Sequence, residues 1–339
     1  MSTRLPPPDL DADHCVHTLF QGAGCRACVE ACPRRAWHLD ERALLLDTEA
    51  CNGCGLCTPA CPTGALKLPF AWTVRRLGRH PVALLACPQA AGVGELADLP
   101  CLHALGIRQL LTLAARGIHH LWLQRGECDT CSQHPKTRLE HRLAQINRLL
   151  ESRHRPPLRL IEGSTDAWRR LHRKPAPQRA LARRQLPHLL QGSWSADPPA
   201  AAAGQPPPPG RLLPPSKGSE AALWPAVPRI DPHRCNGCDA CIHLCPTGAL
   251  RLEQTATGPS YCIEPADCTG CRICVDACDR QAVTVQMQQP AGPSRLPLHP
   301  ARCQGCGNPF HLPQPTGDAT CAVCRTRPGG IRPARIIQS

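Results

Sequence analysis

Aromatic residues are scarce: the 339 residues include one tyrosine, three phenylalanines and six tryptophans. Conventional apolar cores are therefore thin, and units of about 60 residues lack the buried area to fold unaided. No stretch reaches transmembrane length, and the opening MSTRLPPPDLDADHC has no apolar signal region. A reducing cytoplasm is the expected setting, with no membrane insertion. The sequence also lacks a G-x-x-x-x-G-K-[ST] phosphate loop and a C-x3-C-x2-C run standing apart from its other cysteines. Gly22, Gly24 and Ala27 fit G-x-G-x-x-A, but no strand is expected before them, so no nucleotide cofactor is expected.

Cysteine, by contrast, is abundant, at 25 residues. The stretch CNGCGLCTPACPTGALKL at 51–68 returns as CNGCDACIHLCPTGALRL at 235–252. Each copy has the spacing C-x2-C-x2-C-x3-C-P, the bacterial ferredoxin arrangement for a [4Fe-4S] cubane. Three thiolates on one loop reach one cube, and the fourth, carried away before the proline, reaches a neighbouring cube. Each run therefore needs a partner run. Cys268, Cys271, Cys274 and Cys278 repeat the spacing with Asp279 in place of proline. Upstream, Cys25, Cys28, Cys32 and Pro33 match, but the first ligand must be Cys15, with nine residues intervening. If Cys15 is no ligand, that site becomes a three-iron cluster or borrows another side chain.

Crossed ligation predicts four sets: Cys15, Cys25, Cys28 and Cys61; Cys51, Cys54, Cys57 and Cys32; Cys235, Cys238, Cys241 and Cys278; Cys268, Cys271, Cys274 and Cys245. A disulfide framework fits poorly, because thiols so closely spaced cannot all pair. Metal–thiolate bonds would supply the folding free energy that apolar burial does not.

The formal net charge of +13 invites a nucleic-acid reading, but it counts every cysteine as neutral. Four-thiolate cubanes at about −2 each, with two further four-thiolate sites of divalent core, cancel nearly all of it. A local asymmetry survives: residues 134–184 hold 14 Lys or Arg against Glu140, Glu151, Glu162 and Asp166. This is either a solvated helix face or a docking surface for an acidic redox partner.

The expected organisation is α+β and multidomain. A ferredoxin-like 2[4Fe-4S] module occupies 1–69, with strands near 37–39 and 44–47 and a sheet closed by Leu66 and Leu68. A small parallel α/β domain follows at 70–163, from strands at 82–86, 118–123 and 158–161 and helices at 107–115 and 137–150. An Arg-rich segment, helical at 166–173, leads into a Pro/Ala-rich linker, together 164–228. Its 196–228 stretch reads as an extended spacer, either a passive tether or one that lets the next module swing. The second 2[4Fe-4S] module spans 229–290, with a hairpin at 249–253 and 260–263 that holds Cys262 as a packed strand residue. A tail occupies 295–339.

In the middle domain Cys87, Cys101, Cys128 and Cys131 fall at or beyond the carboxyl ends of strands, where open α/β sheets place their sites. Through LLACPQAAG, the LPC ending at Cys101, ARGIHHLWLQRGECDTC and the basic helix after it, this region resembles the iron–sulfur delta subunit of methyl-viologen-reducing hydrogenases. That resemblance implies a [2Fe-2S] cluster and electron transfer to heterodisulfide reductase. From the residues alone, buried or zinc-bound cysteines and a Cys128/Cys131 redox dithiol stay open.

Cys303, Cys306, Cys321 and Cys324 form a C-x2-C-x14-C-x2-C pattern, which implies a zinc ribbon or, as in rubredoxin, a single iron. The whole resembles a bacterial polyferredoxin, implying electron transfer between redox enzymes. Two other classes stay open: a thiol/disulfide oxidoreductase subunit using the middle cysteines, and an iron–sulfur sensor that binds nucleic acid.

Overall fold

The computed structural model describes residues 6–40, 43–68, 72–97, 99–133, 138–174, 206–215, 221–256, 258–315 and 320–326. Secondary structure in the first module is minimal. Trp37–Leu39 pairs antiparallel with Leu44–Leu46. Leu66–Lys67, expected to close that sheet, pairs instead with Asp9–Leu10. The lead segment already lies alongside: Asp11 donates its amide to the Ala65 carbonyl, and its carboxylate takes Lys67 Nζ at 2.7 Å.

The α/β domain carries the largest apolar core. Strands Thr73–Leu77, His80–Ala86, His120–Gln124 and Arg159–Ile161 lie side by side in that order, the last three parallel. Thr73–Leu77 is an antiparallel edge turned by Gly78 at φ 61°, and the charged TVRRL gave no apolar pattern from which to expect it. The helix Ile107–Ala115 buries Leu110, Leu111, Leu113 and Ala114 on one face of the sheet. Beside it the helix Leu139–Glu151 buries Leu139, Leu143, Ile146 and Leu150 at helical spacing. On the other face Trp168 and Leu171, from the helix Thr165–His172, cover Val82, Leu84 and Trp122. The Arg-rich helix thus forms where expected and closes the third layer.

The spacer expected at 196–228 takes a different form. Residues 196–205 lie outside the described residues, but Pro209–Leu212 is a 3-10 turn whose Leu212, with Leu213, joins the α/β core. Polyproline geometry leaves the backbone carbonyls free, and this strap uses them: the Pro207 carbonyl accepts from Arg108 Nε, while Arg108 Nη2 donates to the Pro62 carbonyl of the first module. Arg211 forms a bidentate pair with Asp267, both bonds 2.6 Å. One segment therefore clasps both modules and the domain between them. Further on, Leu223–Ile230 is a strand of the second module, antiparallel to Val283–Pro290.

Arg153 completes the clasp. Buried at the end of the long helix, it donates to the carbonyls of Pro214, Leu149 and Leu223, with its guanidinium 4.6 Å from the Trp224 ring centroid. Burial holds its pKa down at about 10. Arg153→Ala leaves these carbonyls without their donor, and is expected to cost about 2–4 kcal/mol. The check is earlier urea unfolding of the iron-loaded chain.

The second module adds a three-stranded sheet of Leu250–Thr255, Gly258–Ile263 and Arg295–Pro297. Cys262 is a buried residue of its central strand, opposite Arg251 and Arg295. The tail contributes the hairpin His299–Arg302 with Pro309–Leu312, and the helix Ala322–Thr326.

Candidate metal centres

Three of the ferredoxin-type loops follow one backbone plan. Gly237 and Gly270 are left-handed, and so are Asp239 (φ 62°) and Arg272 (φ 64°). Gly53 and Gly55 take the same conformation at the matching positions of the 51–57 loop. The alternation turns successive cysteines inward, at a strain that non-glycine residues carry only where surrounding structure fixes them. Arg26, the equivalent of Gly55 in the remaining run, has φ −125°.

In the first module burial pushes the Cys28 thiol up to about 12, and Cys61 and Cys25 add to the rise. Burial also raises Cys15, with Cys61 beside it. Cys57 is pushed up to about 12 by burial, and its neighbours are Cys54 and Cys32; Cys54 in turn has Cys32 and Cys51. In the second module burial takes Cys241 to about 12 beside Cys235, Cys238 and Cys278. Cys268 reaches about 12 next to Cys271 and Cys245, and Cys274 is raised next to Cys271, Cys268 and Cys245. Each cysteine carried off by its proline-side turn thus stands beside the other run's triplet.

The donor chemistry fits multi-iron clusters. Four thiols gathered this closely cannot all ionise without a multivalent cation among them. Their surroundings are apolar: Trp37 and Leu66 in the first module, Tyr261, Ile263 and Val283 in the second. The amides of Ala36 and Ala282 point at Cys32 Sγ (3.3 Å) and Cys278 Sγ (3.2 Å), as they would at bound thiolates.

At the carboxyl edge of the parallel sheet, Cys87 follows its strand directly and donates its amide to the Gln124 carbonyl at 2.9 Å. Burial lifts Cys101 to about 12, with Cys87, Cys54 and Cys128 adding to it. Cys128 is raised by burial, then by Cys87, with Cys131 adding less. The four predicted residues therefore gather at one edge. The basic side chains around them are largely occupied: Arg138 pairs with Asp129, Arg125 with Glu140 at 2.7 Å, and Arg142 donates to the carbonyls of His103 and Leu105. Of the arginines that suggested a docking face, Arg142 is turned to internal carbonyls, while Arg138 pairs at the surface.

Only the tail set, among the described residues, holds its ligand atoms within 4.8 Å of one another, at Cys303, Cys306, Cys321 and Cys324. Thiolates about 2.3 Å from a single ion require this closeness. Backbone amides of Cys321, Cys306 and Gly305 hold the Cys303 thiol down at about 6, while contact with Cys306 pushes Cys324 up to about 12.

Sequence reasoning missed the group next to the Cys235 loop. Asp239 Oδ1 accepts from Tyr261 Oη at 2.5 Å and lies 2.9 Å from Nε2 of His311, which sits edge-on to the Tyr261 ring. Asp239 lies inside a cysteine run and His311 is 72 residues away, so no spacing pointed to the pair.

Residues 23–65 and 267–312 match a 4Fe-4S dicluster domain, and residues 228–251 a 4Fe-4S binding domain. The second dicluster match takes in Cys303 and Cys306, which the geometry groups with Cys321 and Cys324 instead. An uncharacterized ferredoxin of Methanocaldococcus jannaschii is 34% identical over 53 residues, which are 15% of this chain and 86% of that protein. Ferredoxin-1 of Caulobacter vibrioides is 36% identical over 55 residues, 16% of this chain and 44% of its own. A tetrathionate reductase subunit of Archaeoglobus fulgidus is 52% identical over 40 residues, 12% of this chain and 19% of its own. The chain thus spans less than half of those last two relatives. No described helix is long and apolar enough to cross a membrane. With ferredoxin-type cysteine runs in two modules and most of an archaeal ferredoxin matched by one stretch, the chain belongs to the 4Fe-4S ferredoxin family, as an iron–sulfur electron-transfer protein of polyferredoxin type.

Proposed function

We propose that this chain relays single electrons between cytoplasmic redox enzymes, as an adaptor or subunit of a hydrogenase, formate dehydrogenase or heterodisulfide-reductase-like system. The observation that carries the reading is the grouping of sixteen ferredoxin-type cysteines into four sets by crossed partners. Each set holds a [4Fe-4S] cluster, which takes up or releases one electron. The chain's own residues bury the thiols and aim backbone amides at two of them. The set at Cys87, Cys101, Cys128 and Cys131 holds a [2Fe-2S] cluster, and the tail set holds zinc or a single iron. Partner proteins are acidic where they dock, and no nucleotide is bound.

Iron, sulfide and zinc are measured on anaerobically purified protein, with the EPR spectrum after dithionite reduction. About 18 irons with one zinc is the expected result. About 16 irons with two zincs would make the middle set structural, and iron near zero would overturn the function. The thiol reading draws on Cys128 and Cys131, half-buried at the sheet edge with Arg125 and Arg138 near Cys128. Its mark is dithiol turnover abolished by Cys131→Ala. The nucleic-acid reading gains nothing from a tail that rests on the second module.

A further inference from the structure

The nine residues between Cys15 and Cys25 break the ferredoxin spacing, and a ferredoxin loop has no use for them. In the structure they form the short helix Val16–Leu19 and a turn that lies between the two modules. Val16 and Ala23 are buried against Ile273 of the second module, with Phe20, Leu244, Cys25 and Cys271 closing the patch. Gly24 donates its amide to Asp276 Oδ2 at 2.8 Å, across 252 residues of sequence. Inside the insert, His17 Nε2 meets the Cys25 carbonyl at 2.6 Å and ties the turn to the cysteine loop. Cys25 and Cys271 line one cleft together with Arg26, Glu30, Arg272 and Asp276.

The other junctions follow the same manner. Cys54 packs with Leu56, Ala104 and Cys101, joining the first module to the middle set. At the opposite end the His311 carbonyl lies so close to Gly237 that a Cβ there would stand 1.9 Å from it, and His311 reaches Asp239. Within each module the paired sets share one apolar cluster.

We infer that segment 16–24 is a docking element that seats the Cys245/Cys268/Cys271/Cys274 set against the Cys15/Cys25/Cys28/Cys61 set, so that the six thiol sets of the chain stand in one row. The middle α/β set ends the row on one side and the tail set on the other. Partners that exchange electrons with the row therefore dock at its outermost redox-active sets: the middle α/β set on one side and, where the tail set holds zinc, the Cys235/Cys238/Cys241/Cys278 set on the other. This rests on the proposed function for the clusters.

The test uses the full chain, loaded anaerobically, with iron counted first. Two variants probe the seat: residues 16–24 replaced by two residues, which restores C-x2-C spacing, and Asp276→Ala beside Asp276→Asn. At equal iron, the fully reduced wild type is expected to show EPR signals broadened by interaction across the modules. The shortened variant should give the narrower sum of two separate cluster pairs. The Gly24 amide is expected to exchange roughly tenfold faster in Asp276→Ala, with Asp276→Asn, which keeps an acceptor oxygen, near wild type. If shortening costs iron, the Asp276 pair decides. Superimposable spectra at full iron, or Gly24 exchange indifferent to Asp276→Ala, overturn the docking element and leave the electron-transfer reading standing. A chain without iron overturns both.

Discussion

Stripping the metal from the purified chain is expected to unfold both ferredoxin modules while the α/β domain stays folded. The first module's buried cluster consists of Trp37, Cys57 and Leu66, and the residues packed on it include Cys28, Cys32 and Cys61. Its helices are four and five residues long and its strands two or three, too short to persist without tertiary support. Once the thiols are unbound they lose the bonds that replace a core, and the folding free energy leaves with the iron. The α/β domain owes its stability to leucines: Leu85, Leu110, Leu111, Leu121 and Leu149 are fully enclosed between sheet and helices. Hydrogen exchange after chelation measures the difference. Amides in 6–68 and 223–290 should lose about a thousandfold or more in protection, and those of His80–Ala86 should keep theirs. Equal loss throughout would mean that the domain depends on its own metal.

Cys61→Ser is expected to empty the site it shares with Cys15, Cys25 and Cys28, and to leave Cys51, Cys54 and Cys57 with theirs. The loss is about four irons. Sequence proximity argues for the opposite, since Cys61 is four residues from Cys57. In the structure the thiol that faces Cys15 and Cys28 is that of Cys61, and the one that faces Cys54 is that of Cys32. A double variant separates the alternatives, because residues of one site act as a unit. Cys15→Ser with Cys61→Ser should lose no more iron than either alone. A loss of about eight would place them on different clusters.

The cysteine sets were legible because a tight loop constrains which thiols can reach one cube, and spacing encodes that directly. The α/β elements were legible for a similar reason: 139, 143, 146 and 150 repeat at the helical period, and VALLA is an apolar run of strand length. The edge strand Thr73–Leu77 was not, since its arginines face solvent or bond outside the strand and leave no period to read. Proline-rich composition suggested an extended spacer over 196–228, of which 206–215 is bonded in place. Composition reports what a segment cannot bond to itself, and here Arg108 and Arg153 supply the donors from elsewhere.

By itself the sequence determined which thiols can group: four sets of ferredoxin spacing, a fifth at the edge of a parallel sheet and a sixth in the tail. These depend on residue type and short spacing, which are local. Only the tertiary structure decided that the sets adjoin. That depends on an insert meeting Ile273 and Asp276, a strap bonded through its carbonyls and a histidine set against Gly237. Such contacts join residues from 46 to more than 250 positions apart, and the free energy that fixes them comes from surfaces whose complementarity no single segment contains.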